Sequence, residues 1–135
     1  MLTALIDAHV ALCAAGWVAC DFFDGAMIHD FESGRLSLVD LDHYHAGPFV
    51  NEAGRIPGST RFMAPEEFEK GAAIDERTTV FNLGRAIANF LGDGGPARAA
   101  FRGKDRQHAA MSRACRSAPA ERFATVAELA AAWGG

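Results

Sequence analysis

Lysine is nearly missing from this chain: the thirteen basic residues include only Lys70 and Lys104 as lysines, and neither lies in a strand-like stretch. The basic residues form no dense run and the net charge is −4, which excludes the positive footprint of a nucleic-acid binder. The three cysteines, Cys13, Cys20 and Cys115, show no CxxC spacing and leave one over. That excludes a disulfide framework and suits a reducing, cytoplasmic setting. No apolar run is long enough to cross a bilayer. The apolar N-terminus has no basic leader and carries Asp7 and His9, so it reads as a helix rather than a signal peptide. No serine or threonine lies between Asp42 and Gly58, where Tyr44 holds the one side-chain hydroxyl.

What remains is ordinary globular composition, half hydrophobic and 22% charged. At 135 residues it is expected to fold as a single domain, 1–135, burying about two thirds of its unfolded surface. Leu2, Leu5, Ile6, Val10 and Cys13 recur at helical spacing before Gly16, which predicts a first helix ending near Ala15. Trp17, Phe22 and Phe23 read as core. Ala26 to Phe31, the turn at Glu32–Gly34 and the stretch Gly34–Asp42 predict a hairpin. The span 43–57 has no periodicity and reads as a long loop. Pro65 opens a short helical turn with Glu66 and Glu67 in its first turn. Thr78 to Leu91 is apolar nearly all round and predicts a central buried helix, ended by Gly92–Pro96. Helical pieces follow at Gln107–Cys115 and Val126–Trp133, the last with Thr125 and Glu128 in capping-box spacing. The expected class is mainly α (α+β) with one short hairpin.

The second hairpin strand delivers Asp40 and Asp42 where the chain stops being apolar. A carboxylate at the mouth of a buried strand is costly unless it meets a cation or a donor cluster. The alternative is an aspartate bonding its own turn. Cys20, beside Asp21, has no histidine at a predictable distance to activate it and reads as a core thiol.

Five segments in order resemble the C-terminal lobe of the protein kinase family. Gly16–Asp21 is similar to the approach to the catalytic loop, with Asp21 at the aspartate of the His-Arg-Asp motif. Leu38–Asp42 is similar to the Asp-Phe-Gly segment. Gly58–Glu66 resembles the substrate-side loop ending in Ala-Pro-Glu. Ile74–Gly84 resembles the start of the family's central helix, and Ala118–Phe123 its Asp-Pro-x-x-Arg stretch. The resemblance implies a Ser/Thr-kinase-like C-lobe that uses Mg2+ and ATP to phosphorylate a protein hydroxyl. Asp21 would be the catalytic base and Asp40 the metal ligand, Ser59 could bond the catalytic carboxylate, and Glu66 and Arg122 would form a buried structural ion pair.

Departures are equally specific. Ala19 and Cys20 replace the His and Arg of the motif, and Phe23 the loop lysine. Ala26 replaces the asparagine that holds a second metal, for which Asp24 or Asp42 would have to substitute. Thr79 stands where the family has an aspartate bracing the catalytic loop, so that network is expected to be lost. With Cys20 in place of the arginine and only Tyr44 available, phosphorylation of the 43–57 loop is not expected to act as a switch. The parts that cover ATP do not occur in these residues, so the isolated chain offers half a nucleotide site. A protein partner or second copy is expected on the face the other lobe would cover. Two alternatives stand beside an enzyme: a pseudokinase used as an interaction module, and a metal-dependent hydrolase built on Asp40, Asp42, His43 and His45.

Overall fold

A computed structural model describes residues 1–134. Among the described residues the fold is α+β: four α-helices, three two-stranded antiparallel ribbons, and short 3-10 turns.

Helix α1 (Leu2–Ala14) buries Leu2, Leu5, Ile6 and His9. It stops at Gly16, which takes the left-handed φ of +89° and returns its N–H to the Cys13 carbonyl at 2.9 Å. Strand β1 is Trp17–Val18. Strands β2 (Met27–His29) and β3 (Leu36–Leu38) form the expected hairpin, with Met27 opposite Leu38 and His29 opposite Leu36. The span 43–57 departs from expectation. It contains β4 (His45–Ala46), which pairs with β1, and β5 (Phe49–Val50), which pairs with β6 (Ala73–Ile74). Two-residue ribbons are too short to leave a period in the sequence. Trp17 also departs: it is 41% exposed, while its neighbour Val18 turns inward.

Helix α2 (Glu76–Leu91) starts two residues before the apolar pattern does, because Asp75 caps it. The Asp75 carboxylate accepts the Arg77 N–H at 2.8 Å, and Thr78 Oγ1 accepts the Asp75 N–H at 3.3 Å. Every residue from Thr78 to Gly84 is buried. Helix α3 (Asp105–Ala114) crosses α2 at Gly84, where an added Cβ would lie 2.8 Å from both Ala114 Cβ and Cys115 Sγ. Helix α4 (Val126–Gly134) begins with Thr125 Oγ1 accepting the Glu128 N–H at 3.1 Å and Glu128 returning the favour to the Ala124 N–H. It packs against α1, where Trp133 Nε1 donates to Thr3 Oγ1 at 3.1 Å and joins the two ends of the chain. One apolar core, centred on Leu5, Phe62, Leu83, Ile87, Met111 and Leu129, runs between these helices.

Glu66 and Arg122, 56 residues apart, lie against this core as a bidentate pair at 2.6 and 2.9 Å. Nη1 also donates to the Arg77 carbonyl, Nη2 to that of Ser117, and Nε to that of Arg116. A guanidinium has five N–H bonds, and all are used. The Phe81 ring covers its face at 4.7 Å. Burial raises the Glu66 pKa, but Arg122 and the Thr78 hydroxyl, 2.9 Å away, outweigh it and hold the carboxyl below its ordinary value. Glu66→Ala would leave a buried guanidinium without a counter-charge. The expected loss is about 3–5 kcal/mol in urea denaturation, with Arg122→Lys unable to restore the fork.

Candidate functional site

The hairpin continues one residue past β2 and β3, where the Val39 N–H donates to the Ala26 carbonyl at 2.9 Å. Asp40 therefore leaves the ribbon level with Gly25, at the end from which Asp21 enters. Asp21 and Asp40 both have φ of +55°. Such left-handed backbone is uncommon outside glycine and tends to mark sites where geometry is imposed by surroundings.

Those surroundings are visible at Asp21. Phe22 drops into the core and meets His9 and Phe62 edge-on at 5.6 and 5.5 Å. The preceding Ala19 and Cys20 are buried as well. Asp21 is thereby bent outward, its side chain 28% exposed, with Oδ2 3.9 Å from Nε2 of His43. His43 lies three residues beyond Asp40, so the chain after β3 folds toward Asp21. From the other side Gly58 approaches: a Cβ there would lie 3.7 Å from the Asp21 Cα. The catalytic-loop and substrate-loop candidates thus abut.

Thr79 ties α2 to the segment before Asp21. Thr79 Oγ1, fully buried on α2, accepts the Ala19 N–H at 3.0 Å. A hydroxyl takes up one of the bonds that a carboxylate would accept there, without a buried charge to compensate.

The other candidates divide. Asp24 is exposed; its Oδ1 accepts the Gly25 N–H at 3.1 Å and its Oδ2 lies 3.5 Å from Arg61 Nη1. Asp40 and Asp42 are exposed. Ser59 is half-buried and its carbonyl closes a turn with Phe62; among the described residues its hydroxyl makes no bond to Asp21. No group of three or more His, Cys, Asp or Glu among the described residues is placed to hold a metal. His45 is occupied with the Gly47 carbonyl at 2.8 Å and with Phe49. Magnesium needs less than such a cage, since one or two carboxylates and the phosphates of a nucleotide suffice. Asp40 is an exposed carboxylate of the type such an ion needs; at the position of a second ligand Ala26 offers only a buried methyl, Asp24 lies 3.5 Å from Arg61, and Asp42 is exposed. Cys20 is buried, and desolvation with the Glu67 and Asp21 charges pushes its thiol up to about 12, which suits a core residue rather than a nucleophile.

Two features went unread in the sequence. His9 is buried, and its Nδ1 donates to the Leu5 carbonyl at 2.9 Å. Its Nε2 is therefore the acceptor for the Tyr44 hydroxyl at 2.8 Å. Burial keeps His9 from protonating readily and raises the Tyr44 pKa. Tyr44 is thus bound into the domain rather than displayed. The second feature is Glu67, 1% exposed, whose Oε2 accepts the Ala64 N–H at 2.6 Å and the Asn82 amide at 2.8 Å. Desolvation raises its pKa to about 7. A capping motif at Pro65 was the only available signal, and it placed Glu67 on a helix turn without showing that the turn is buried.

No protein-family model matches the chain, and no curated protein does. Among the described residues, no helix is long and apolar enough to cross a membrane.

Thr79→Val keeps the shape and removes the acceptor for Ala19; a stability loss of about 1–3 kcal/mol is expected in urea denaturation. Glu67 makes a pH-dependent prediction. Its folded pKa of about 7 lies above the ordinary 4.5, so the folded state holds the proton more tightly. The stability this contributes is present below pH 4.5 and lost as pH rises through 7, by on the order of 3 kcal/mol. Thermal unfolding from pH 5 to 8 should show Glu67→Gln removing that decline.

Proposed function

We propose that this chain is a protein-kinase-like C-terminal lobe that presents Asp21 and Asp40 for phosphoryl transfer to a protein hydroxyl. On its own it lacks turnover. The observation that carries this reading is that Asp21 and Asp40 flank the open end of the β2–β3 ribbon on left-handed backbone, with His43, three residues past Asp40, 3.9 Å from the Asp21 carboxylate. Supporting it are the Glu66–Arg122 pair and the tie from α2 to the loop before Asp21.

In this reading Mg-ATP, when bound, supplies the phosphoryl group and the cation that offsets its charge. Asp21 takes the proton of the attacking hydroxyl on its outward-facing carboxylate and fixes that hydroxyl in line. Asp40 provides the one carboxylate for the cation. Gly58 lets the substrate loop lie directly against Asp21, so that a hydroxyl held by the loop reaches the base.

The second reading, a pseudokinase used as an interaction module, is favoured by the buried methyl of Ala26 at the second-ligand position and by the Asp24–Arg61 contact. An apolar groove of about 460 Å³ between α1 and the hairpin, lined by Leu12, Trp17, Leu38 and Leu41, supports a protein partner or second copy there in either reading. Phe31, 88% exposed, lies at the turn of this ribbon against His29, and Ile28, 58% exposed, pairs with Ser37 on the ribbon's other face.

Thermal shift with Mg-ATP separates the two. The kinase-like reading expects stabilisation of the wild type, lost in Asp40→Asn and kept in Asp21→Asn. With the completing lobe supplied, Asp21→Asn should lower kcat by about 100-fold or more. Absence of any shift in the wild type would leave the interaction module.

A further inference from the structure

On the side of the molecule formed by α2, α3 and the turn at Pro119–Glu121, a cavity of about 570 Å³ is lined by Arg85, Ser112, Arg116 and Glu121. Through the last three it continues into a second concavity of about 810 Å³, which adds His108 and Arg113. Arg85, Arg113 and Arg116 form no ion pair among the described residues. In a chain of net charge −4, three arginines against the single carboxylate of Glu121 around one groove run against the overall balance. A field of that sign draws in negative groups.

Two of the three are held in place by neutral partners. Arg85 donates Nε to the Arg61 carbonyl at 2.9 Å and Nη1 to the Gly94 carbonyl at 2.7 Å. Arg113 lies over the Phe123 ring at 4.3 Å. Their forks are fixed while their charge stays available, which lowers the ordering cost of meeting a carboxylate. Arg116 is exposed, and only its backbone serves the fold: its carbonyl accepts from Arg122 and its N–H donates to the Arg113 carbonyl at 3.2 Å.

We propose that this groove binds an extended acidic peptide segment of another protein. Its two linked concavities exceed what a single small anion fills. Glu121 decides between ligand classes. Beside the arginines it opposes an inorganic anion or a nucleic-acid strand, which would bring only negative charge and acceptors past it. A peptide brings backbone N–H donors between its carboxylates, and Glu121 and Ser112 can accept them. The inference stands apart from phosphoryl transfer, because it needs neither Asp21 nor Asp40.

The test is fluorescence anisotropy of a fluorescein-labelled hexa-aspartate peptide with the full chain and no nucleotide present. Saturable binding that weakens with added salt is expected, with hexa-lysine not binding and oligothymidylate competing poorly. Arg116→Glu should lower affinity about tenfold, and Arg116→Ser by less; circular dichroism checks that both remain folded. Absence of saturable binding, an Arg116→Glu affinity equal to wild type, or equal displacement by oligothymidylate would each overturn the proposal.

Discussion

A guanidinium with every N–H bond satisfied and a carboxylate for its counter-charge is a rigid joint, and Arg122 makes one between distant parts of this chain. It ties the turn before α4 to the Pro65 turn that follows the 58–64 loop. Thr78 on α2 joins through Glu66. The fork demands planar, two-point geometry, so its presence fixes orientation as well as distance. The loop carrying Gly58 and Met63 leads directly into this joint, and Asp21 rests against that loop. The outward bend at Asp21 therefore has a fixed wall behind it.

The large elements were legible because they repeat. α1, α2 and α4 carry apolar residues at helical spacing and end or begin at Gly16, Gly92 and Thr125, while the hairpin carries a turn between two alternating runs. The 43–57 span was not legible, since each of its ribbons offers two residues and no period. Trp17 was misplaced for the same reason: in so short a strand, composition does not say which face a residue takes. Of the candidate site, Asp21, Asp40, Glu66 and Arg122 could be picked out by order along the chain. The tie from Thr79 to the Ala19 N–H could not, because a buried threonine on a helix leaves no mark in the sequence of the backbone group its hydroxyl meets. His9 and Tyr44 meet only once α1 and the following loop are folded together.

Two neighbouring carboxyls in the Pro65 turn lie in opposite electrostatic states. Glu66 faces Arg122 and is held charged, whereas Glu67 faces amide donors inside the core and is pushed toward its neutral form. Burial acts on both in the same direction, and the cation decides the difference. Sequence adjacency therefore says little about ionisation here. The turn alternates its acids between a charged joint and the underside of the 58–64 loop, where Asn82 binds both Glu67 and the Phe62 carbonyl.

Phe22 places its ring between His9 and Phe62 while its immediate neighbour carries the outward carboxylate. A carboxylate carried next to a core ring moves when the core moves. Substitutions at Phe62, which never approaches solvent, would shift the Phe22 ring and with it the direction in which Asp21 projects.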